Sequence, residues 1–181
     1  GALKRGAAVL LLALVTTACG AAYSLYVGSS LGKLSDRDYA GALAALEEPD
    51  GKTNMLLYRL ERGLILHYQG QYELSNQEFE SAERLIDRLY TRSISREAAA
   101  LLTNDAIRAY RGEEFERVLI NYYRAMNYEY LGQPQAALVE CRKANLKLED
   151  YAALTEYELT YKNDAFMQYL TGLIYDSERE W

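Results

Sequence analysis

One spacing of residues recurs along this 181-residue chain and narrows its possible folds more than any other feature. A glycine is followed two positions on by tyrosine or proline, then by a small residue, a larger one four later, and another small one. The clearest copy is Gly70, Tyr72, Ser75, Phe79 and Ala82. A partial echo lies upstream at Tyr39, Ala42 and Leu46, and a second full copy lies downstream at Gly132, Pro134, Ala137, Cys141 and Ala144. Members three and four apart share one face of a helix. A preceding glycine permits a tight turn, and small residues facing large ones let two antiparallel helices approach closely. The pattern therefore predicts helical hairpins stacked side by side, an architecture that offers surface to a partner.

Helical periodicity covers nearly everything after residue 34, and no stretch alternates long enough to suggest a sheet. Ser35 and Asp36 are expected to cap a helix through Tyr39, Ala42, Leu43 and Leu46, which Pro49, Asp50 and Gly51 end. Thr53 or Asn54 caps the next, whose stripe of Leu56, Leu60, Gly63, Leu64 and Leu66 reaches the turn at Gln69 and Gly70. The returning helix is predicted over Gln71 to Tyr90, with Leu74, Phe79, Ala82, Leu85, Ile86 and Leu89 inward. Gly63 and Ala82 form notches for knobs such as Phe79 or Leu66. A second pair is predicted over Glu113 to Leu131 and Gln133 to Leu148, with Ala125 and Ala144 opposite Tyr128 and Cys141, and Pro134 in a first turn.

Between the pairs, Thr91 to Gly112 breaks the rhythm and reads as an inserted element, with a helix starting at Ser93 or Ser95 and running through Ala98, Leu101 and Leu102. A second irregular stretch runs from Glu149 to Tyr161. Asn163 or Asp164 then caps a helix carrying Phe166, Leu170, Gly172, Leu173 and Tyr175. These spacings resemble the tetratricopeptide-type helix pair. The expected fold is all-α, a tetratricopeptide-like antiparallel helix-hairpin array, or α-solenoid, with an inserted helical element. The last helix has no partner before Trp181, so the array is expected to continue in a longer chain.

The chain opens differently. Lys4 and Arg5 precede an apolar run from Ala7 to Val15, followed by Thr16, Thr17, Ala18, Cys19 and Gly20. A basic start, a short apolar core and small residues have the layout of a secretory signal. A cysteine directly after them resembles the bacterial lipobox, although Thr16 stands where that motif usually has an aliphatic residue. The expected organisation is a signal peptide with lipobox over 1–19, a linker over 20–34 and the helical repeat domain over 35–181, with Cys19 as the lipid attachment site. The competing expectation is an uncleaved anchor continuing through Ala21, Ala22, Leu25, Tyr26 and Val27. Gly20, where an Asp would signal inner-membrane retention, favours the periplasmic face of the outer membrane over inner-membrane anchoring. Residue 1 is glycine, which suggests a start inside the reading frame.

Twenty-six acidic against 20 basic side chains give a net charge of −6. That balance argues against a nucleic-acid partner and against broad adhesion to anionic lipid. Membrane attachment is therefore expected through the N-terminal lipid. With Cys19 lipidated, Cys141 cannot form an internal disulfide, and no Cys/His cluster has metal-ligand spacing. No cofactor is expected.

Residues 54 to 149 resemble a family of uncharacterised Gram-negative envelope lipoproteins with tetratricopeptide-like repeats. The matching stretches are Asn54 to Gly70, Phe79 to Tyr90 and Tyr110 to Tyr123. The resemblance implies an envelope location and a helical repeat fold, and supplies no activity.

Candidate chemistry is sparse. Asn104, Asp105, Tyr110, Glu113, Glu114, Glu116 and Asn121 form one constellation, and paired carboxylates suit acid-base hydrolysis of glycans such as peptidoglycan. The glutamates also open a helix, where the dipole favours negative charge, and Arg117 can pair with Glu113, or Arg92, Arg96 or Arg108 can reach the cluster. His67, the only histidine, reads as structural, as does Cys141. The 17 tyrosines, among them Tyr122, Tyr123, Tyr128 and Tyr130, supply rigid contact area for recognition or for packing. The leading expectation is an envelope lipoprotein that binds a protein partner through a groove, with Asn104, Asp105, Tyr110, Glu113, Glu116, Tyr122 and Tyr123 as candidate partner-binding residues and no convincing catalytic set. Alternatives are a cell-wall glycan-binding or hydrolysing module using Asp105, Glu113 and Glu116, and a subunit of a secretion or surface-assembly machine.

Overall fold

The computed structural model describes residues 28–49, 54–96, 112–154 and 164–178. The described residues are all-helical, with no strand. In chain order the helices are α1 over 28–35, α2 (Tyr39–Ala45), α3 (Met55–Tyr68), α4 (Tyr72–Arg96), α5 (Glu114–Tyr130), α6 (Pro134–Leu154) and α7 (Ala165–Glu178). None is long and apolar enough to cross a membrane. The chain divides into two compact units, Gly1–Glu47 and Glu48–Trp181.

In the first unit, α1 occupies residues expected to belong to a linker. Ser30 Oγ donates to the Ala42 carbonyl at 3.0 Å, tying α1 to the buried side of α2. Because Ser35 ends α1, the cap of α2 moves past the predicted Ser35 and Asp36 to Asp38, whose Oδ1 accepts the Gly41 N–H at 2.9 Å.

The second unit is built on two hairpins closed by the same device. At the end of α3, Gly70 N–H donates to His67 O and Gln71 N–H to Leu66 O. At the end of α5, Gly132 N–H donates to Glu129 O and Gln133 N–H to Tyr128 O. This bond pair defines a Schellman ending, which needs a left-handed residue after the cap. Gly70 and Gly132 supply it with φ of 80° and 67°. The next helix starts within two residues, so each hairpin folds back antiparallel. Cross-helix bonds fix the register: Arg59 and Arg62 reach Glu78, Ser75 reaches Gly63, Asn121 reaches Glu140 and Lys147 reaches Asn121. Each helix from α3 to α6 packs on its successor, and α3 also meets α5.

The predicted notches and knobs meet. A Cβ on Gly63 would stand 3.0 Å from Phe79 Cε1, so α3 and α4 approach tightly where the glycine leaves room for the ring. Around that contact Leu56, Phe79, Ala82, Ile86 and Ile120 form one core. Ala125, Ala137, Leu138, Cys141, Ala144, Met167 and Ile174 lie in a second, which reaches α7. Each large side chain buried this fully contributes roughly 1.5–3 kcal/mol before chain entropy is set against it.

Three further expectations differ from the structure. Leu74 is exposed, because the buried stripe of α4 runs through Ser75, Phe79, Ala82 and Ile86 and Leu74 lies about 100° off it. Helix α4 continues to Arg96 rather than breaking at Thr91, and α6 continues to Leu154 rather than Leu148. Neither extension contains a proline or glycine to stop it. The helix predicted through Ala98, Leu101 and Leu102, the cap at Thr53 and the turn at Asp50 and Gly51 lie outside the described residues. Asn54 takes the capping position of α3 without a side-chain bond, and Asp164 Oδ1 accepts the Met167 N–H at 2.8 Å to open α7 as expected.

Candidate functional site

Two buried polar networks lock the hairpins together. In the first, Ser75 Oγ donates to Gly63 O at 2.8 Å and accepts from Asn127 Nδ2 at 2.9 Å, while the same amide donates to Asn76 Oδ1 at 2.9 Å. With both amide hydrogens given away, Asn127 Oδ1 is left as an acceptor for His67 Nδ1 at 2.6 Å. His67 is therefore the tautomer protonated at Nδ1. Burial lowers its pKa, and the bond to Asn127 only partly opposes this. Rings of Tyr68, Tyr72, Tyr123 and Tyr130 surround the imidazole, with centroids 5.0–6.1 Å away.

The second network is charged. Arg124 bridges Glu83 at 2.9 Å and Glu140 at 3.2 Å, while Lys147 reaches Glu83 and Asn121 at 2.7 Å each. Asn121 Nδ2 donates to Glu140 Oε2 at 2.6 Å, and Lys143 adds a bond at 3.0 Å. Burial alone would raise the Glu83 carboxyl, but Lys147 and Arg124 outweigh it and hold the pKa down. Neither network was legible as a site, since asparagine and glutamate at core positions look like faults in an apolar stripe. The signal was present: Asn121 lies between Val118 and Ala125, and Glu140 between Ala137 and Ala144, all at core spacing.

On the odd-numbered helices, aromatic rings form a connected line. Tyr68 of α3 meets Tyr123 of α5 at 6.5 Å, Tyr123 meets Tyr122 at 5.2 Å, and Tyr122 meets Phe166 of α7 at 4.7 Å. The ends of the line are open, with Tyr68 49% and Phe166 47% exposed. Tyr72 and Tyr130 stack at 4.7 Å beside it, and Leu119, Tyr169 and Leu173 extend the apolar surface along α5 and α7. Tyr123 also stacks on Phe79 at 5.8 Å, so it serves the core as much as the surface. Burial raises the Tyr122 and Tyr123 phenols, keeping both neutral. Such rings offer rigid apolar area with polar tips.

Of the candidate residues, Tyr122 and Tyr123 come together in this line, whereas Glu113 and Glu116 sit at the start of α5. There Glu116 Oε2 accepts the Glu113 backbone N–H at 2.8 Å, a local cap. Asn121 belongs to the charged network. Cys19, Asn104, Asp105, Tyr110 and Arg108 lie outside the described residues, as do the side chains of Arg92 and Arg96. Cys141 is a buried core thiol whose pKa burial raises.

Comparison with known proteins returned no matching family model, no matching characterised protein and no matching solved structure.

Proposed function

We propose that this chain is a tetratricopeptide-like scaffold that holds a protein partner against the face of α3, α5 and α7, and that it acts in the bacterial envelope as a lipoprotein anchored through Cys19 at the periplasmic face of the outer membrane. The observation that carries the reading is the aromatic line from Tyr68 through Tyr123 and Tyr122 to Phe166, which joins three helices and stays open at both ends. Kinship of the two hairpins supports it. Arg62–Glu78 in the first corresponds to Arg124–Glu140 in the second, and both turns end in the same glycine-led bond pair. An array of like units needs its inner helices to face something. Location rests on the signal-like start and the residues around Cys19.

Affinity retrieval from crosslinked cells tests the reading. The wild-type chain is expected to recover a specific envelope protein, and the Tyr68→Ala/Phe166→Ala variant to lose it with helix content unchanged. Retrieval that survives in the variant would refute it. Mass spectrometry of the mature N-terminus tests the anchor separately, with a diacylated or triacylated Cys19 expected.

A further inference from the structure

We propose that the aromatic face of α3, α5 and α7 takes a segment of its partner in which lysine or arginine alternates with apolar residues. The inference names the chemistry of the partner and rests on the scaffold reading above. Its first support is the line of rings itself, since a tyrosine face carries negative quadrupole density and attracts ammonium and guanidinium groups.

The second support is where the charges lie. The cationic side chains of the three helices are four arginines, and each is paired within the molecule. Arg59 and Arg62 are bound by Glu78, Arg124 by Glu83 and Glu140, and Arg117 by a hydrogen bond to Tyr151. A carboxylate stands beside the rings instead. Exposed Asp164 stands two residues before Phe166, close enough for its charge to act on the Tyr122 phenol. An acidic segment laid here would meet like charge and, on these three helices among the described residues, only arginines already paired, whereas a cationic one meets rings and carboxylate together. The net charge of −6 steers in the same direction.

The experiment is selection of random-sequence peptides displayed on phage by the full chain held in detergent micelles. Selected peptides are then titrated as synthetic chains against wild type, Tyr68→Ala, Phe166→Ala and Asp164→Asn, the last keeping a capping side chain. Enrichment of lysine or arginine among apolar residues is expected. Roughly tenfold weaker binding is expected when those cations are changed to glutamate, with a smaller loss and a flatter salt dependence for Asp164→Asn. Acidic or uncharged peptides that still require Tyr68 and Phe166 would overturn the cationic partner and leave the scaffold reading intact. Peptides indifferent to both rings, or no selected peptide at all, would overturn the cationic partner, and the first of these results would take the scaffold reading with it.

Discussion

Replacing Gly63 with alanine sets two effects of opposite sign against each other. In a free helix the change is favourable by about 1 kcal/mol. Here the new methyl would stand 3.0 Å from Phe79 Cε1 and 3.1 Å from Cδ1 and Cζ. Ordinary carbon contact is about 3.5–4.0 Å, so the ring must yield by roughly half an ångström. It has little room, being 3% exposed, stacked on Tyr123 and enclosed by Leu56, Ala82, Ile86 and Ile120. Overpacking of this kind costs about 1–3 kcal/mol, which leaves a net loss of about 1 kcal/mol after the helix gain. The second hairpin has Ala125 and Cys141 at the matching positions, the smaller partner admitting the methyl. In a Phe79→Leu background the same Gly63→Ala change should therefore become stabilising, by about 0.5–1 kcal/mol. A double-mutant cycle by urea unfolding, followed by circular dichroism, should return a coupling of about 2 kcal/mol. Gly63→Ala stabilising the wild-type chain, or changing both backgrounds equally, would refute the close-contact account of α3 and α4.

Other perturbations act elsewhere in the same unit. His67 titrates below its ordinary 6.5 because burial disfavours the imidazolium. The unfolded chain therefore takes the proton first as pH falls, so stability is full above 6.5 and declines from there down to the folded value. Urea midpoints at neutral pH and at about pH 5.5 should differ in wild type, and by less in His67→Gln. Glu140→Ala leaves Arg124 with Glu83 alone and takes the acceptor from the Asn121 amide, and should cost about 1.5–3 kcal/mol, whereas Glu78→Ala, which releases the more exposed Arg59 and Arg62, should cost about 1 kcal/mol or less; urea unfolding of the two variants compares them. Gly70→Ala meets no neighbour within 4 Å, so its cost is the left-handed backbone alone, about 1–2 kcal/mol, and Gly132→Ala should match it in the same assay.

The elements that sequence reading recovered are those set by local rules. Glycine turns at Gly70 and Gly132, the small-against-large contact of Gly63 with Phe79, and the cap at Asp164 each depend on residues a few positions apart or on one helix pair. Helix ends without a stop signal, at Arg96 and Leu154, are not legible in the sequence, because a break in an apolar rhythm does not end a helix that lacks glycine or proline. Leu74 is hydrophobic enough to read as inward, whereas its register points it outward. The polar networks around Asn127 and Glu140 each join residues from three helices, which no periodicity within one helix reveals. Of the candidate surface, Tyr122 and Tyr123 were named, but their continuity with Tyr68 and Phe166 emerges only when α3, α5 and α7 lie together.

Photocrosslinking in living cells asks most directly whether this molecule holds something against its odd-numbered helices. A crosslinking amino acid placed at Tyr68, Tyr122 or Tyr169 should trap one and the same protein. The same probe at Leu74 of α4 or Leu146 of α6, exposed apolar positions on the other helices, should trap none of it. Equal capture from both sets of helices, or capture from α4 and α6 alone, would contradict the account.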